Sequence, residues 1–525
     1  MKILIADPVD KQCVDILKNE GFEVVDRSGS ALEEIMKEIG TADGLIVRSQ
    51  TKVTTQMMEA APMLKVVGRA GAGVDNIDVP AATRRGVLVM NTPGGNTIST
   101  AEHTMSLMLS MARNIPQANQ SLREGKWDRK SFSGVELYEK TLGIVGLGKV
   151  GTEVARRSLA LGMTVIAFDP IHSTELAGKM GIELVDLDQI FKRSDFISVH
   201  SPLTAETKDL INEKTLSSCK QGVRIINCAR GGIVNEHDLL RALENGHVAG
   251  AALDVFQEEP PRDRSLILHP HVVTTPHLGA STEEAQEKVA LQIAHQIADF
   301  LKERGVAGAV NGEMIRYMFR KEFRPYIELA ERLGRLLSQL KVGDLRSVTI
   351  MVNGTFLHEL STVLGSVLIK GIFEKMLSEP VNYVNALALA KERGITVHVV
   401  QGDDHVLYAN VIGVEYETTK ERRKFSGTVF GNSDLRIIGI DEFHFEMRPY
   451  GIFLLYSNLD RPGMLASVSN ILANAKINIG GLSLGRYTGG TTALTIIALD
   501  ETPSQEVIKN ISTVDGVSDV RLIFL

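Results

Sequence analysis

The stretch Thr141-Leu-Gly-Ile-Val-Gly-Leu-Gly-Lys-Val-Gly-Thr-Glu-Val-Ala-Arg156 leads from a short apolar run through three spaced glycines into a helix-forming segment. Gly146 permits a tight bend, Gly148 lets the backbone approach a pyrophosphate, and Gly151 allows the helix to pack closely on the strand. The first N–H groups of that helix, around Lys149 and Val150, lack intrahelical acceptors and would hold phosphate charge. Three glycines in a turn are a weak signal alone, so the surroundings carry the reading. A second apolar run, Met163-Thr-Val-Ile-Ala-Phe168, ends in Asp169, at the distance of about 20 residues where a carboxylate meets ribose hydroxyls. Strand, glycines, helix and acid together point to a Rossmann-type dinucleotide domain. An acid there repels a 2′-phosphate, which favours NAD over NADP. The alternative is a plain strand-turn-helix with Asp169 as a cap.

With 525 residues, 44% hydrophobic and 23% charged, the chain can bury several cores and should form about three or four domains. A net charge of −7 and a pI near 6.1 give no basic footprint for nucleic acid or an acidic membrane surface. Three scattered cysteines, Cys13, Cys219 and Cys228, show neither metal-ligand spacing nor a disulfide framework. No metal site is expected, and a reducing cytoplasm suits them. The first residues turn polar too soon for a signal peptide, and no apolar run approaches membrane-spanning length.

Upstream of the glycine turn, apolar runs at 3–6, 22–25, 44–47, 64–67 and 87–90 alternate with helix-like stretches. This is a parallel, helix-covered sheet, read as a flavodoxin-like substrate domain. Its first strand ends in Asp7-Pro-Val-Asp10 rather than a glycine turn, so the dinucleotide belongs elsewhere. Gly71-Ala-Gly73 follows a strand without a third glycine and is either a substrate-facing loop or merely a turn. One long helix is expected over about 97–124, with His103, Leu107 and Met111 on its apolar stripe.

Six runs, at 142–145, 164–168, 196–200, 224–227, 249–254 and 272–274, suit a doubly wound sheet. Ser281-Thr-Glu-Glu284 can then cap a helix with apolar positions Val289, Ile293, Ile297 and Leu301. That helix returns the chain to the first unit, making the substrate domain discontinuous and the active site a cleft between two lobes. The expected division is 1–96 with 283–314 for substrate, 97–282 for NAD, 315–448 for an α+β intervening unit, and 449–525 for a last unit. Within 315–448, a helix at 323–340 and strands at 347–352, 396–400 and 406–411 are expected. There, Lys420-Glu-Arg-Arg-Lys424 reads as a solvated turn. The last unit has a strand at 452–457, a helix at 463–475, a hairpin of 482–486 and 494–499 about Gly489-Gly490, a helix at 504–511 and a strand at 520–524. That βαββαβ order is ferredoxin-like.

Three residues stand just past the ends of late strands in the dinucleotide domain, where such sheets place their ligands. Arg230 offers a rigid fork of donors to a substrate carboxylate. Glu259 could accept from an imidazole, fix its tautomer and raise its pKa. His277 is the natural proton carrier. Together they form an alcohol-oxidising set. Taken singly, each could be structural.

In family order, the glycine turn, Asp169, Cys228-Ala-Arg-Gly-Gly232, Glu258-Glu-Pro260 and Pro276-His-Leu-Gly-Ala-Ser-Thr282 resemble the D-isomer-specific 2-hydroxyacid dehydrogenases over residues 1 to about 310. Across its length the chain resembles the long-form phosphoglycerate dehydrogenases of that family, which carry an intervening domain and a C-terminal ACT domain. Asp460-Arg-Pro-Gly-Met-Leu465 followed by Asn478-Ile-Gly-Gly481 resembles the ACT module. The resemblance implies oxidation of 3-phosphoglycerate to 3-phosphohydroxypyruvate in L-serine biosynthesis, an L-serine effector at the ACT module, and a homotetramer. It makes Arg230 the holder of the substrate carboxylate and carbonyl, Glu259 the partner and His277 the acid–base. It adds Pro202, Cys228, Ala229, Asp254 and Gly279 as NAD contacts. Arg48 is the first candidate for the substrate phosphate, with Arg69, Gly71 and Gly73 on the same side. Arg129, with Lys130 after Trp127, acts across a dimer interface or sits in water. Two other readings remain: a hydroxypyruvate or glyoxylate reductase using the same three catalytic residues, and a non-catalytic NADH-sensing protein.

Overall fold

The computed structural model describes residues 1–525 except Ser173, 404–406 and 488–489, and omits the side chains of Leu176, Glu313 and Met314. Strands Lys2–Ile5, Glu23–Asp26, Gly44–Val47, Val66–Arg69 and Leu88–Asn91 form a parallel sheet. Counted along the chain they lie in the order 2-1-3-4-5, the flavodoxin-like order. Ile3, Leu4, Ile5, Leu45, Ile46 and Val47 are fully buried. Burial on both faces explains why these strands read as unbroken apolar runs rather than alternating ones.

The helix Glu283–Leu301, capped by Thr282 accepting from Ala285 N at 3.2 Å, comes back to cover this sheet. Its Ile293 and Ile297 press on Gly68, where an added Cβ would lie 2.5 Å from Ile297 Cδ1. The chain thus returns to its first sheet after building its second.

The second sheet has seven parallel strands: Thr141–Val145, Thr164–Phe168, Glu183–Leu184, Phe196–Val199, Val223–Asn227, Val248–Leu253 and Val272–Thr274. Their spatial order is 7-6-5-4-1-2-3, so the winding reverses between Thr141–Val145 and Phe196–Val199. Ligands of doubly wound sheets bind outside the carboxyl ends at such a reversal. The strand missing from the sequence reading, Glu183–Leu184, is two residues long and leaves no apolar run.

The single helix expected over 97–124 is two helices, Thr97–Ala112 and Ile115–Arg123. Asn114 between them adopts φ +53°. That left-handed conformation ends a helix, and Pro116 cannot supply the N–H needed to continue one.

A six-stranded sheet follows, under helices Arg324–Leu340 and Ser361–Phe373. The strand expected at 406–411 is not found: Val406 lies outside the described residues, and pairing starts only at Val411, in Val411–Thr418. The basic stretch after it is a turn only at its start, because Arg422–Phe430 is a strand and Arg423 Nε donates to Asp441 at 2.9 Å. The final sheet, Ile452–Leu459, Ile479–Arg486, Thr492–Leu499 and Val517–Phe524, is antiparallel in the order 2-3-1-4, with helices Met464–Asn474 and Gln505–Ser512. This is the expected βαββαβ unit; Gly489 of its hairpin lies outside the described residues. Among the described residues, no helix is long and apolar enough to cross a membrane.

Candidate active site

At the reversal point, Gly146 takes φ +96°. A Cβ on Gly151 would sit 2.1 Å from Gly146 O, so helix and strand approach as closely as glycine alone allows. Gly148, by contrast, faces open space. The helix Lys149–Ala160 starts at Gly148 without a side-chain cap, leaving its first N–H groups, Val150 among them, available to an anion. Asp169 accepts from Leu147 N at 2.8 Å and from Ile171 N and His172 N. Burial pushes its carboxyl up, but those donors outweigh burial and hold it below its ordinary value. The carboxylate is therefore ionised and rigidly placed beside the turn. These residues fit a dinucleotide bearing a free 2′-hydroxyl. Lys149 makes a different contact, its Nζ donating to Pro93 O at 3.1 Å across to the first lobe.

Pro202 lies exposed beyond the strand Phe196–Val199, its carbonyl accepting from Thr207 Oγ1 at 2.6 Å. Ala229 N donates to Asn227 Oδ1 at 3.0 Å, and Asn227 Nδ2 to Arg230 O at 2.9 Å, which shapes the loop presenting Arg230. Cys228 is buried beneath it, and burial pushes its thiol up to about 12. The thiol stays neutral and serves as packing.

His277 Nδ1 lies 2.7 Å from Glu259 Oε2, and Glu259 Oε1 accepts from Phe256 N at 3.1 Å. The carboxylate raises the imidazole pKa above its ordinary value, with burial opposing. Burial in turn pushes Glu259 up, and the His277 and Phe256 donors more than reverse it. The pair thus holds a proton on Nδ1 and leaves Nε2 as the reactive nitrogen. Phe256, Pro260, Pro261 and Ile267 line a cavity of about 370 Å³ beside it, an apolar wall that strengthens the contact. His277 adopts φ +55°, a costly conformation for a residue with a side chain.

Asp254 supports that conformation. It is 1% exposed, its carbonyl accepts from His277 N at 2.9 Å, and its carboxylate accepts from Leu278 N at 2.7 Å and Gly279 N at 2.8 Å. The sequence assigned Asp254 and Gly279 to the cofactor. The structure engages both carboxylate oxygens of Asp254 with the histidine loop, and packs Gly279 under Thr100.

Across the cleft, three arginines from distant segments converge. Arg230 Nε donates to Asp75 at 2.9 Å, and its Nη2 lies against Gly73, where a Cβ would fall 2.0 Å away. Arg69 sits against Gly71, which takes φ +151°. Burial, then repulsion from Arg230, pushes Arg69 down to about 10. Its Nε is buried and has no acceptor among the described residues. Arg48 is held through its backbone N–H, donated to buried Asp7 at 2.6 Å. Gly71-Ala-Gly73 is therefore a loop shaped around arginines. Arg129 is not joined to this group: it is exposed, with no hydrogen bond or ion pair among the described residues. The sequence reading missed Asp75, Asp7 and His103. The polar pair Thr100 and His103 inside an apolar helix was the available signal for the last.

Residues 105–279 match the D-isomer specific 2-hydroxyacid dehydrogenase, NAD binding domain, and residues 322–441 match the D-3-phosphoglycerate dehydrogenase intervening domain. The D-3-phosphoglycerate dehydrogenase of Archaeoglobus fulgidus is 41% identical over 528 residues, covering 100% of both chains. The chain belongs to the D-3-phosphoglycerate dehydrogenase family. The family member from Bacillus subtilis is 40% identical over 100% of this chain and 99% of its own. Among solved structures, D-lactate dehydrogenase from Aquifex aeolicus, complexed with NAD and lactic acid, aligns at a TM-score of 0.53 and 26% identity, over 58% of this chain and 96% of that one. The chain is an NAD-dependent D-2-hydroxyacid dehydrogenase, and NAD is its cofactor.

Proposed function

We propose that this site oxidises 3-phosphoglycerate to 3-phosphohydroxypyruvate, the first step of L-serine biosynthesis. The observation that carries the reading is the His277–Glu259 pair facing a cluster of three arginines beside the dinucleotide turn. Arg230 holds the substrate carboxylate and the oxygen at C2. His277 Nε2 takes the hydroxyl proton, and Glu259 stabilises the imidazolium that results. NAD, held by Gly146, Gly148, Gly151 and Asp169 with the N–H groups near Lys149 and Val150, supplies the hydride acceptor for the hydrogen on that carbon. Arg48 and Arg69 take the phosphate. The unpaired Arg69 Nε supports this, because a buried guanidinium donor without an acceptor awaits an anion.

A simple reductase for hydroxypyruvate or glyoxylate would use the same triad, but it accounts for only the first part of this chain: the D-lactate dehydrogenase aligns over 58% of it. The remainder is assigned to an intervening domain, 315–448, and an ACT regulatory domain, 449–525, beside a substrate domain of 1–96 with 283–314 and an NAD domain of 97–282. The ferredoxin-like strand order supports the ACT assignment. L-Serine binds there between chains of a homotetramer. Arg129 lies in the exposed stretch around Trp127, which is 81% exposed, and that stretch reaches a partner chain. Three buried free cysteines suit a cytoplasmic enzyme.

The test is NAD-dependent oxidation of 3-phosphoglycerate by the full chain, followed by NADH absorbance, with and without millimolar L-serine. Turnover suppressed by serine supports both the site and the ACT reading. Turnover without suppression removes the serine switch. Turnover only with another 2-hydroxy acid sinks the substrate assignment, and NADH binding with no turnover would favour the sensing protein.

A further inference from the structure

His103 lies on the helix Thr97–Ala112, among residues expected to be purely apolar packing. Its Nε2 lies 3.1 Å from Asp254 Oδ1 and 3.0 Å from Thr275 Oγ1. The Thr275 hydroxyl spends its one hydrogen on Asp254 Oδ1, at 2.5 Å. Both neighbours of Nε2 are then acceptors, which assigns the hydrogen to Nε2. The same carboxylate receives Leu278 N and Gly279 N, and the Asp254 carbonyl receives His277 N. One turn earlier on the helix, Thr100 Oγ1 donates to Gly279 O at 3.2 Å. The helix therefore grips both sides of the loop that carries His277.

We propose that His103 is a positioning residue for the dehydrogenase: its Nε2–H locks Asp254 and Thr275 in the arrangement that holds His277 at φ +55° with Nδ1 on Glu259. In this role it acts through Asp254. The proposal rests on the dehydrogenase reading above. Without the Nε2–H, the Asp254 carboxylate is held only by donors of the Thr275–Gly279 arc itself, the Thr275 hydroxyl, Leu278 N and Gly279 N, so carboxylate and arc can shift together and the Glu259–His277 contact lengthens. The charged groups facing His277 are Glu259, Asp254 and Arg230, and Glu259 is the largest influence on its pKa. The charged group facing His103 is Asp254.

His103→Leu removes the donor at similar volume, and His103→Gln returns an N–H of similar reach. In the full-length protein, His103→Leu should lower kcat about tenfold with KM for 3-phosphoglycerate and for NAD within about twofold, and His103→Gln should restore most of it. A readout independent of substrate is the pH dependence of His277 carbethoxylation by diethyl pyrocarbonate, followed by peptide mass. Its midpoint should fall in His103→Leu and return in His103→Gln, as the Glu259 contact weakens and re-forms. Wild-type kcat with an unmoved midpoint in His103→Leu overturns the proposal. So does an equal loss in both variants that follows a drop in Tm, because that is merely structural. If the wild type fails to oxidise 3-phosphoglycerate, the substrate reading falls alone, and the carbethoxylation midpoint still decides the role of His103.

Discussion

Gly73→Ala perturbs the arginine side of the cleft while sparing the fold. Gly73 does not take a positive φ, so alanine fits its backbone without strain. The new Cβ, however, would stand 2.0 Å from Arg230 Nη2 and 2.8 Å from Asp75 Oδ2, where ordinary contact begins near 3.4 Å. The guanidinium has to withdraw by roughly 1.4 Å, the difference between those contact distances, and its 2.9 Å ion pair with Asp75 is pushed from both ends. The guanidinium is the far end of a flexible side chain, so the fold loses little and Tm should stay within about 2 °C. Catalysis is less forgiving. A misplacement of about 1 Å costs on the order of 10²-fold in rate, which is about 2.7 kcal/mol of transition-state stabilisation. Steady-state assays should show kcat/KM for 3-phosphoglycerate down about 10²-fold, with NADH binding, followed by its fluorescence, unchanged. A variant with intact Tm and kcat/KM within twofold of wild type would refute Arg230 as the substrate holder.

Glu259→Gln removes the largest influence raising the His277 pKa. Oxidation needs the neutral imidazole, so the wild-type rate climbs with pH through a midpoint above the ordinary histidine value. The variant's limb should move to lower pH while its maximal rate drops about tenfold or more; a limb that stays put counts against the pairing. Asp169→Ser removes the charge that repels a 2′-phosphate, and the ratio of kcat/KM for NADP over NAD should rise about tenfold or more. An unchanged ratio would move the source of cofactor preference elsewhere. Asp7→Ala strands the N–H groups of Arg48, Gln50 and Thr51, at 2.6, 3.2 and 3.0 Å from its carboxylate. Urea unfolding should show a loss of about 2–4 kcal/mol, with KM for 3-phosphoglycerate raised as the Arg48 loop loosens. A stable variant with unchanged KM would separate Asp7 from the substrate loop.

Much of this was legible in the chain because the signals are local. Gly146, Gly148, Gly151 and Asp169 act through backbone conformation and spacing along a single strand-turn-helix-strand unit, which sequence order preserves. Arg230, Glu259 and His277 each follow an apolar strand, and the doubly wound sheet converts that position into a shared edge. The break at Asn114 was harder to see, because helical apolar spacing continues on both sides of it.

Periodicity and turn chemistry made the parallel sheets, the dinucleotide turn and the βαββαβ end readable and placed Arg230, Glu259 and His277 just past strand ends, since such signals need only near neighbours. The tertiary structure alone decided that Gly71 and Gly73 make room for arginines, that Asp75 pairs with Arg230, 155 residues away, and that His103 meets Asp254, 151 residues away. A residue on an apolar stripe and one gripping a buried carboxylate have the same helical spacing. Only the packing of the helix on the strand ends distinguishes them.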